Sequence, residues 1–188
     1  MLIRIAQFCG SAIMYNTWHN NSHTQMQGKV CLITWANSGI GKATALGMAR
    51  MGATVDMVCR DRARGGEEQL DIERQSGNEA VDLLLADLSR QQSIRQSVST
   101  FQQRYMLMYV LIHNAGSAFS PRQESVDGLE MTCAVNYLAP FLLTNLLLDV
   151  LKRTSRTALS GSHLSVHMMS RFSANYGRKV PSCCNCQP

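Results

Sequence analysis

The segment Thr34-Trp35-Ala36-Asn37-Ser38-Gly39-Ile40-Gly41 carries the clearest chemistry in this 188-residue chain. Lys29–Thr34 before it is a short apolar run with β-branched residues, the pattern of a buried strand. Gly39 and Gly41 then open a helix. Glycines there let the backbone approach a pyrophosphate, and the helix N-terminus offers N–H donors and a partial positive charge. Thr34, Ser38, Gly39, Ile40 and Gly41 are therefore candidate cofactor-binding residues. The plainer alternative is a tight turn that only packs helix on strand. Trp35 stands where the backbone would touch the ligand, so its indole either obstructs the site or swings outward.

The flanking elements must hold this turn in place. The first helix runs to about Met51, with Gly52 as its cap. Ala53–Cys59 reads as a second strand, and Arg62–Ser76 as a charged helix ending at Gly77. Val81–Ala86 is a third strand. Ser89–Tyr105 is a helix with Ile94, Val98 and Phe101 at helical spacing. Tyr109–His113 is a fourth strand, and Ser125–Leu151 is expected to be largely helical. This alternation predicts an α/β fold, a Rossmann-like doubly wound parallel sheet. The sheet is expected to be incomplete, with four to five strands. Beyond residue 152 the pattern stops, and only His163–Met169 offers a weak strand.

With these motifs in order, the chain resembles the classical short-chain dehydrogenase/reductase family, near its retinol-dehydrogenase-like members. That family opens with Thr-Gly-x-x-x-Gly-Ile-Gly; here Thr34, Gly39 and Gly41 match, and Trp35 replaces the first glycine. Asp87-Leu88 matches the acidic residue that contacts the adenine ring. Asn114-Ala115-Gly116 matches the motif that supports the central sheet. Asn136 matches the helix asparagine of the catalytic tetrad. The resemblance spans about residues 28–152. It implies an NAD(P)-dependent oxidoreductase acting on an alcohol or carbonyl, with hydride passing between nicotinamide and substrate. It also implies homo-dimerisation through the apolar helix Ala134–Leu151, the alternative being burial within one chain. The end of the second strand selects the cofactor. An acid there suits the ribose 2′-OH of NAD, and a basic residue suits the 2′-phosphate of NADP. Cys59 occupies the expected acid position and Arg60 follows, which favours NADP; the alternative is that Arg60 and Arg62 belong to a solvated helix start.

The family also uses a Ser to polarise the carbonyl and a Tyr-x-x-x-Lys pair, in which the cation lowers the tyrosine pKa. Tyr15, Tyr105, Tyr109 and Tyr137 have no Lys four residues on. Lys179 lies three residues after Tyr176, and Gly177 and Pro181 disfavour a helix there. Ser162 or Ser165 is a remnant of the serine at best. Asn136 is thus the one catalytic candidate. His113 reads as a buried strand-end histidine rather than a catalyst. Cys183, Cys184 and Cys186 with His163 and His167 lack the spacing of a structural zinc site, so no metal is expected.

Charge marks the same seam. The net charge is +5, which first suggests a polyanionic partner. Residues 28–149 hold all 13 acids and a net of −2, whereas residues 150–188 carry +6 and no acid. The excess therefore sits outside the globular segment, and no nucleic-acid partner is expected. The organisation reads as a disordered leader (1–27), a dinucleotide-binding domain (28–152) and a divergent, acid-free basic tail (153–188) that is expected to be poorly ordered. The change at residue 152 reads as a frameshift, an alternative 3′ end or a truncation, and implies an impaired enzyme. The alternative is an inactive dinucleotide-fold protein acting through binding or dimerisation. The seven cysteines are odd in number and the first four, Cys9, Cys31, Cys59 and Cys133, are scattered singly among apolar residues, which argues for reduced thiols and a cytoplasmic location. No run is long enough to span a membrane.

Overall fold

Every position of strand Val30–Thr34 is buried. Apolar, β-branched residues shielded on both faces are what an interior parallel strand requires. The computed structural model describes residues 4–7, 26–154 and 158–161. In chain order the described strands are β1 Arg4–Gln7, β2 Val30–Thr34, β3 Thr54–Cys59, β4 Val81–Leu85, β5 Val110–His113 and β6 Ala158–Gly161. The first helices are α1 Gly39–Arg50, α2 Arg62–Ser76 and α3 Gln91–Arg104. One parallel sheet results, in the order β1-β6-β5-β2-β3-β4. The chain winds outward from β2 through β3 to β4, then returns to β5 on the other side of β2. The winding reverses between β2 and β5, where open α/β sheets bind ligands at the carboxyl ends of their strands.

The α/β expectation holds, and the sheet is larger than expected. β1 and β6 bring it to six strands against the four to five expected. Both lie outside the segment read as the fold. Arg4–Gln7 falls in the expected leader, and it pairs in parallel with Ala158–Gly161. Four-residue strands leave too short a pattern to read from sequence. The expected strand His163–Met169 lies outside the described residues.

Alternate strand residues feed two cores. Leu32, Val58, Leu84 and Leu111 pack on one face with Ile94, Val98 and Phe101 of α3. Cys31, Ile33, Val55 and Met57 pack on the other with Ala45, Met48 and Ala49 of α1 and Ile72 of α2. The Asp61 carboxylate caps α2 by accepting from the Ala63 and Arg64 amides. Gly77, at φ 68°, ends that helix in the left-handed form.

The expected helix Ser125–Leu151 starts later and is not uniform. Residues 125–130 form a turn, with the Gly128 amide donating to the Ser125 carbonyl. Helix α4 covers Met131–Cys133, capped by the Glu130 carboxylate. A π-helical turn, Ala134–Leu138, follows, then α5 Ala139–Leu146 and α6 Leu148–Arg153. The Ala139 amide reaches back five residues to Ala134. Pro140 has no N–H to offer the Asn136 carbonyl four residues before it, so an α-helical ladder cannot close there.

Phe101 is fully buried and stacks at a tilt on Tyr105, with ring centroids 5.0 Å apart. Phe101→Ala should lower the unfolding free energy by about 3–5 kcal/mol, read from urea denaturation.

Candidate functional site: the turn after strand β2

Thr34 ends β2 fully buried and ties it to the segment after β5. Its hydroxyl donates to the Ile112 carbonyl (3.4 Å) and accepts from the Ala115 amide (3.0 Å). The Asn114 side-chain amide donates to the carbonyls of Thr34 (3.1 Å) and Trp35 (3.3 Å). The Trp35 amide donates to the Val58 carbonyl of β3 at 2.9 Å. The turn is therefore held from both neighbouring strands.

Trp35 has φ 52°, in the left-handed region. A non-glycine residue there carries strain of roughly 1–2 kcal/mol. The bonds to Val58 and Asn114 fix that conformation whichever side chain is present. The indole is half-buried and packs against the α3-side core.

Gly41 shows why a glycine is needed at its position. A Cβ there would lie 2.2 Å from the Trp35 carbonyl oxygen and 2.5 Å from Asn114 Nδ2. Gly39 differs. Its φ is 52°, and an added Cβ would meet nothing within 4 Å. Ser38, Gly39 and Ile40 are all exposed. The Ser38 side chain makes no cap bond, and the first turn of α1 holds no acid. The opening N–H groups of α1 thus face open space beside a left-handed glycine, at the point where the winding reverses. That arrangement fits an anionic diphosphate.

The other expected residues line the carboxyl ends of the neighbouring strands. The Cys59 thiol is buried beneath the turn and accepts from the Ala36 and Asn37 amides; burial pushes its pKa up to about 11. Arg60 next to it is exposed. Asp87 accepts from the Ser89 amide (3.0 Å) and hydroxyl (2.7 Å), and its own amide donates to Ser93 Oγ (2.9 Å). Leu88 is buried and Gly116 exposed. Asn136 is fully buried: Oδ1 accepts from the Ser117 amide (2.9 Å) and Nδ2 donates to the Ser117 carbonyl (2.8 Å). It acts in this structure as a clamp between the π-helical turn and the loop after β5. Ser117 escaped the sequence reading because a residue held by its backbone leaves no side-chain signature.

His113 is buried, with Nε2 2.8 Å from Thr144 Oγ1 and Nδ1 without a partner. Burial pushes its pKa down to about 4, so it is neutral at pH 7. Tyr176, Lys179, Ser162, Ser165, His163, His167, Cys183, Cys184 and Cys186 lie outside the described residues. Among the described residues no group of three or more His, Cys, Asp or Glu is placed to hold a metal. No described helix is long and apolar enough to cross a membrane.

Residues 29–162 match the family model described as short chain dehydrogenase. The chain belongs to that family. Dehydrogenase/reductase SDR family member 12 of Homo sapiens is 44% identical over 129 residues, which cover 69% of this chain and 40% of that protein. Retinol dehydrogenase 11 of Homo sapiens is 39% identical over 151 residues, covering 80% of this chain and 48% of the relative. The chain thus spans less than half the length of either. Among solved structures, the alcohol dehydrogenase of the archaeon Thermococcus sibiricus, complexed with 5-hydroxy-NADP, aligns with a TM-score of 0.61 at 29% identity. That alignment covers 70% of this chain and 57% of the other. A metagenomic short-chain oxidoreductase in complex with NADP aligns with a TM-score of 0.65 at 24% identity, covering 73% and 63% of the two chains, and supports the shared fold.

Two predictions follow from the turn and its neighbour. Gly41→Ala forces the Trp35 carbonyl and Asn114 apart, so unfolding free energy should drop by about 1–3 kcal/mol in chemical denaturation. His113 has a folded pKa below its unfolded value of 6.5. Its contribution is present above pH 6.5 and lost as pH falls towards 4. The ratio of folding constants, wild type over His113→Asn, should therefore fall about tenfold per pH unit across that window.

Proposed function

We propose that this chain binds a nicotinamide dinucleotide across the reversal between β2 and β5, and that NADP is favoured over NAD. The exposed turn at Ser38-Gly39-Ile40, with buried Gly41 behind it, carries the reading: the helix N–H donors there would take the pyrophosphate. The NADP-bound fold relatives support the cofactor class. Asp87 and Leu88 would flank the adenine, and Asn114, Ala115 and Gly116 would form the opposite wall. For the 2′-phosphate, the support comes from the end of β3. Cys59 presents no acid, Oδ1 of Asp61 is committed to the Ala63 and Arg64 amides, and Arg60 is exposed beside them. A bound nicotinamide supplies the hydride acceptor or donor for an alcohol–carbonyl pair. Asn136 is then a positioning residue, because both ends of its side chain are committed to Ser117.

The reaction that membership of a short-chain dehydrogenase family supports is oxidoreduction of an alcohol or carbonyl. We propose that the 188-residue chain alone binds cofactor without turning it over, since it holds no Tyr with a Lys four residues on. Binding is further weakened by the indole of Trp35. A second reading, a dinucleotide-fold protein acting through self-association, is favoured by Phe141, which is 53% exposed on α5. Free thiols at Cys31, Cys59 and Cys133 support a reducing, cytoplasmic setting.

Titration of NADPH, followed by nicotinamide fluorescence, tests the first reading. A saturable response is expected, and no response at high concentration rejects the site. Trp35→Gly should tighten NADPH by about tenfold (~1.4 kcal/mol). Arg60→Glu should weaken NADPH about tenfold and leave NADH nearly unchanged. No aldehyde-dependent loss of NADPH absorbance is expected, and steady turnover would overturn the impairment.

A further inference from the structure

Away from the turn, strands β3 and β4 place two carboxylates side by side in the α3-side core. Asp56 and Asp82 are register partners across the parallel pair. Adjacent strands lie only about 4.8 Å apart. Asp56 is fully buried, and neither of its carboxyl oxygens has a hydrogen-bond partner. Asp82 is not alone, because the Tyr105 hydroxyl donates to its Oδ2. An isolated carboxylate in an apolar core costs several kcal/mol, and the usual escape is to stay protonated. A second carboxylate at register distance deepens that cost, because two such neighbours do not readily ionise together.

The surroundings offer little to neutralise a charge. On β2 the register partner of Asp56 is Leu32. On β4 it is Asp82. At the end of α3 stand Tyr105 and Arg104, and Arg104 is the cation acting on Asp56. Arg104 itself is exposed. Cys59, on the same strand, faces the opposite core. Burial first, and then Asp82, push the Asp56 pKa up to about 7 against the pull of Arg104. A surface cavity of about 240 Å³ adjoins this end of the sheet, lined in part by Val30, Arg104, Tyr105 and Tyr109. Arg104 and Tyr105, which line it, are the residues that stand over the pair.

We propose that Asp56 and Asp82 form a proton-operated latch at the foot of the sheet, closed over by the end of α3 while Asp56 holds its proton. Loss of that proton leaves a bare carboxylate in the core. The nearest remedy is to turn Arg104 inward or to let water in past Tyr105, and either one loosens residues 104–107. Met106 and Leu107 in that segment are 72% and 39% exposed, and fully buried Met108 is the fixed end against which they move.

The sign is opposite to that of His113. A raised Asp pKa contributes stability in full below the unfolded value, near 3.8, and loses it as pH rises to about 7. Between pH 4 and 6.5 the two groups offset one another in the wild type, so the test is a ratio. The folding constant of wild type over Asp56→Asn should fall about tenfold per pH unit from pH 4.5 to 7. A ratio flat with pH overturns the latch. Infrared spectroscopy on the wild type alone covers the case in which Asp56→Asn does not fold. The carbonyl band of an unbonded, protonated carboxylic acid should be present at pH 6 and gone by pH 8.5; its absence at pH 6 also overturns the proposal. Amide exchange supplies the conformational half. Protection of the Tyr105 amide, which donates to the Phe101 carbonyl, should drop at least fivefold between pH 6 and 8.5, once intrinsic rates are divided out. Unchanged protection would show a titrating acid without a moving segment, and so refute the latch.

Discussion

Thr34 and Asn114 join the end of β2 to the segment that leaves β5, and the rest of the site follows from that junction. The winding reverses between these two strands, so no covalent connection spans the gap locally. The backbone ladder that pairs the two strands ends at Ile33 and Ile112, and side-chain hydrogen bonds carry the junction past it. The Thr34 hydroxyl bonds to both Ile112 and Ala115, and the Asn114 amide reaches the Thr34 and Trp35 carbonyls. Buried bonds of this kind contribute only about 0.5–1.5 kcal/mol each. Their larger effect is geometric: they set where the turn sits, and therefore where the first N–H groups of α1 point. Asn136 extends the same clamp to the helical layer through Ser117.

The junction also explains the tension at Trp35. The backbone there adopts a left-handed φ because its N–H and C=O are claimed by β3 and by Asn114. A glycine would take that conformation without strain. Tryptophan takes it because the surrounding bonds over-determine it, and the half-buried indole recovers some of the strain by packing on the core. Gly41 permits no such compromise, since its Cβ would collide with the backbone that Asn114 holds. Two positions of one motif thus tolerate substitution very differently.

The interior carries two titratable groups with opposed tendencies. His113 is held neutral by burial and Asp56 is held protonated by burial, so neither bears charge at mildly acidic pH. This is the low-dielectric core acting on an acid and a base alike. Their stability contributions run in opposite directions with pH. A flat profile for the whole chain would hide both, and only single variants separate them.

The periodicities of the sequence determined the βαβ alternation, both cores and the position of the turn. Local chemistry is sufficient for that: Ile94, Val98 and Phe101 share a helix face by spacing alone, Gly77 stops a helix by itself, and Gly39 and Gly41 mark the close approach. The family motifs likewise located Asn114 and Asn136. What the sequence left open depends on contacts between distant residues. The strand β1 is too short to show a period and exists by pairing with β6. The helix expected from Ser125 begins only at Met131, because a turn and the Glu130 cap intervene. The clamp of Asn136 on Ser117 uses backbone groups that have no residue code. The pairing of Asp56 with Asp82 arises from strand register, and residues 26 positions apart acquire it only when β3 and β4 lie side by side. Tertiary structure decided these features because each is a juxtaposition, and no local segment contains both halves of it.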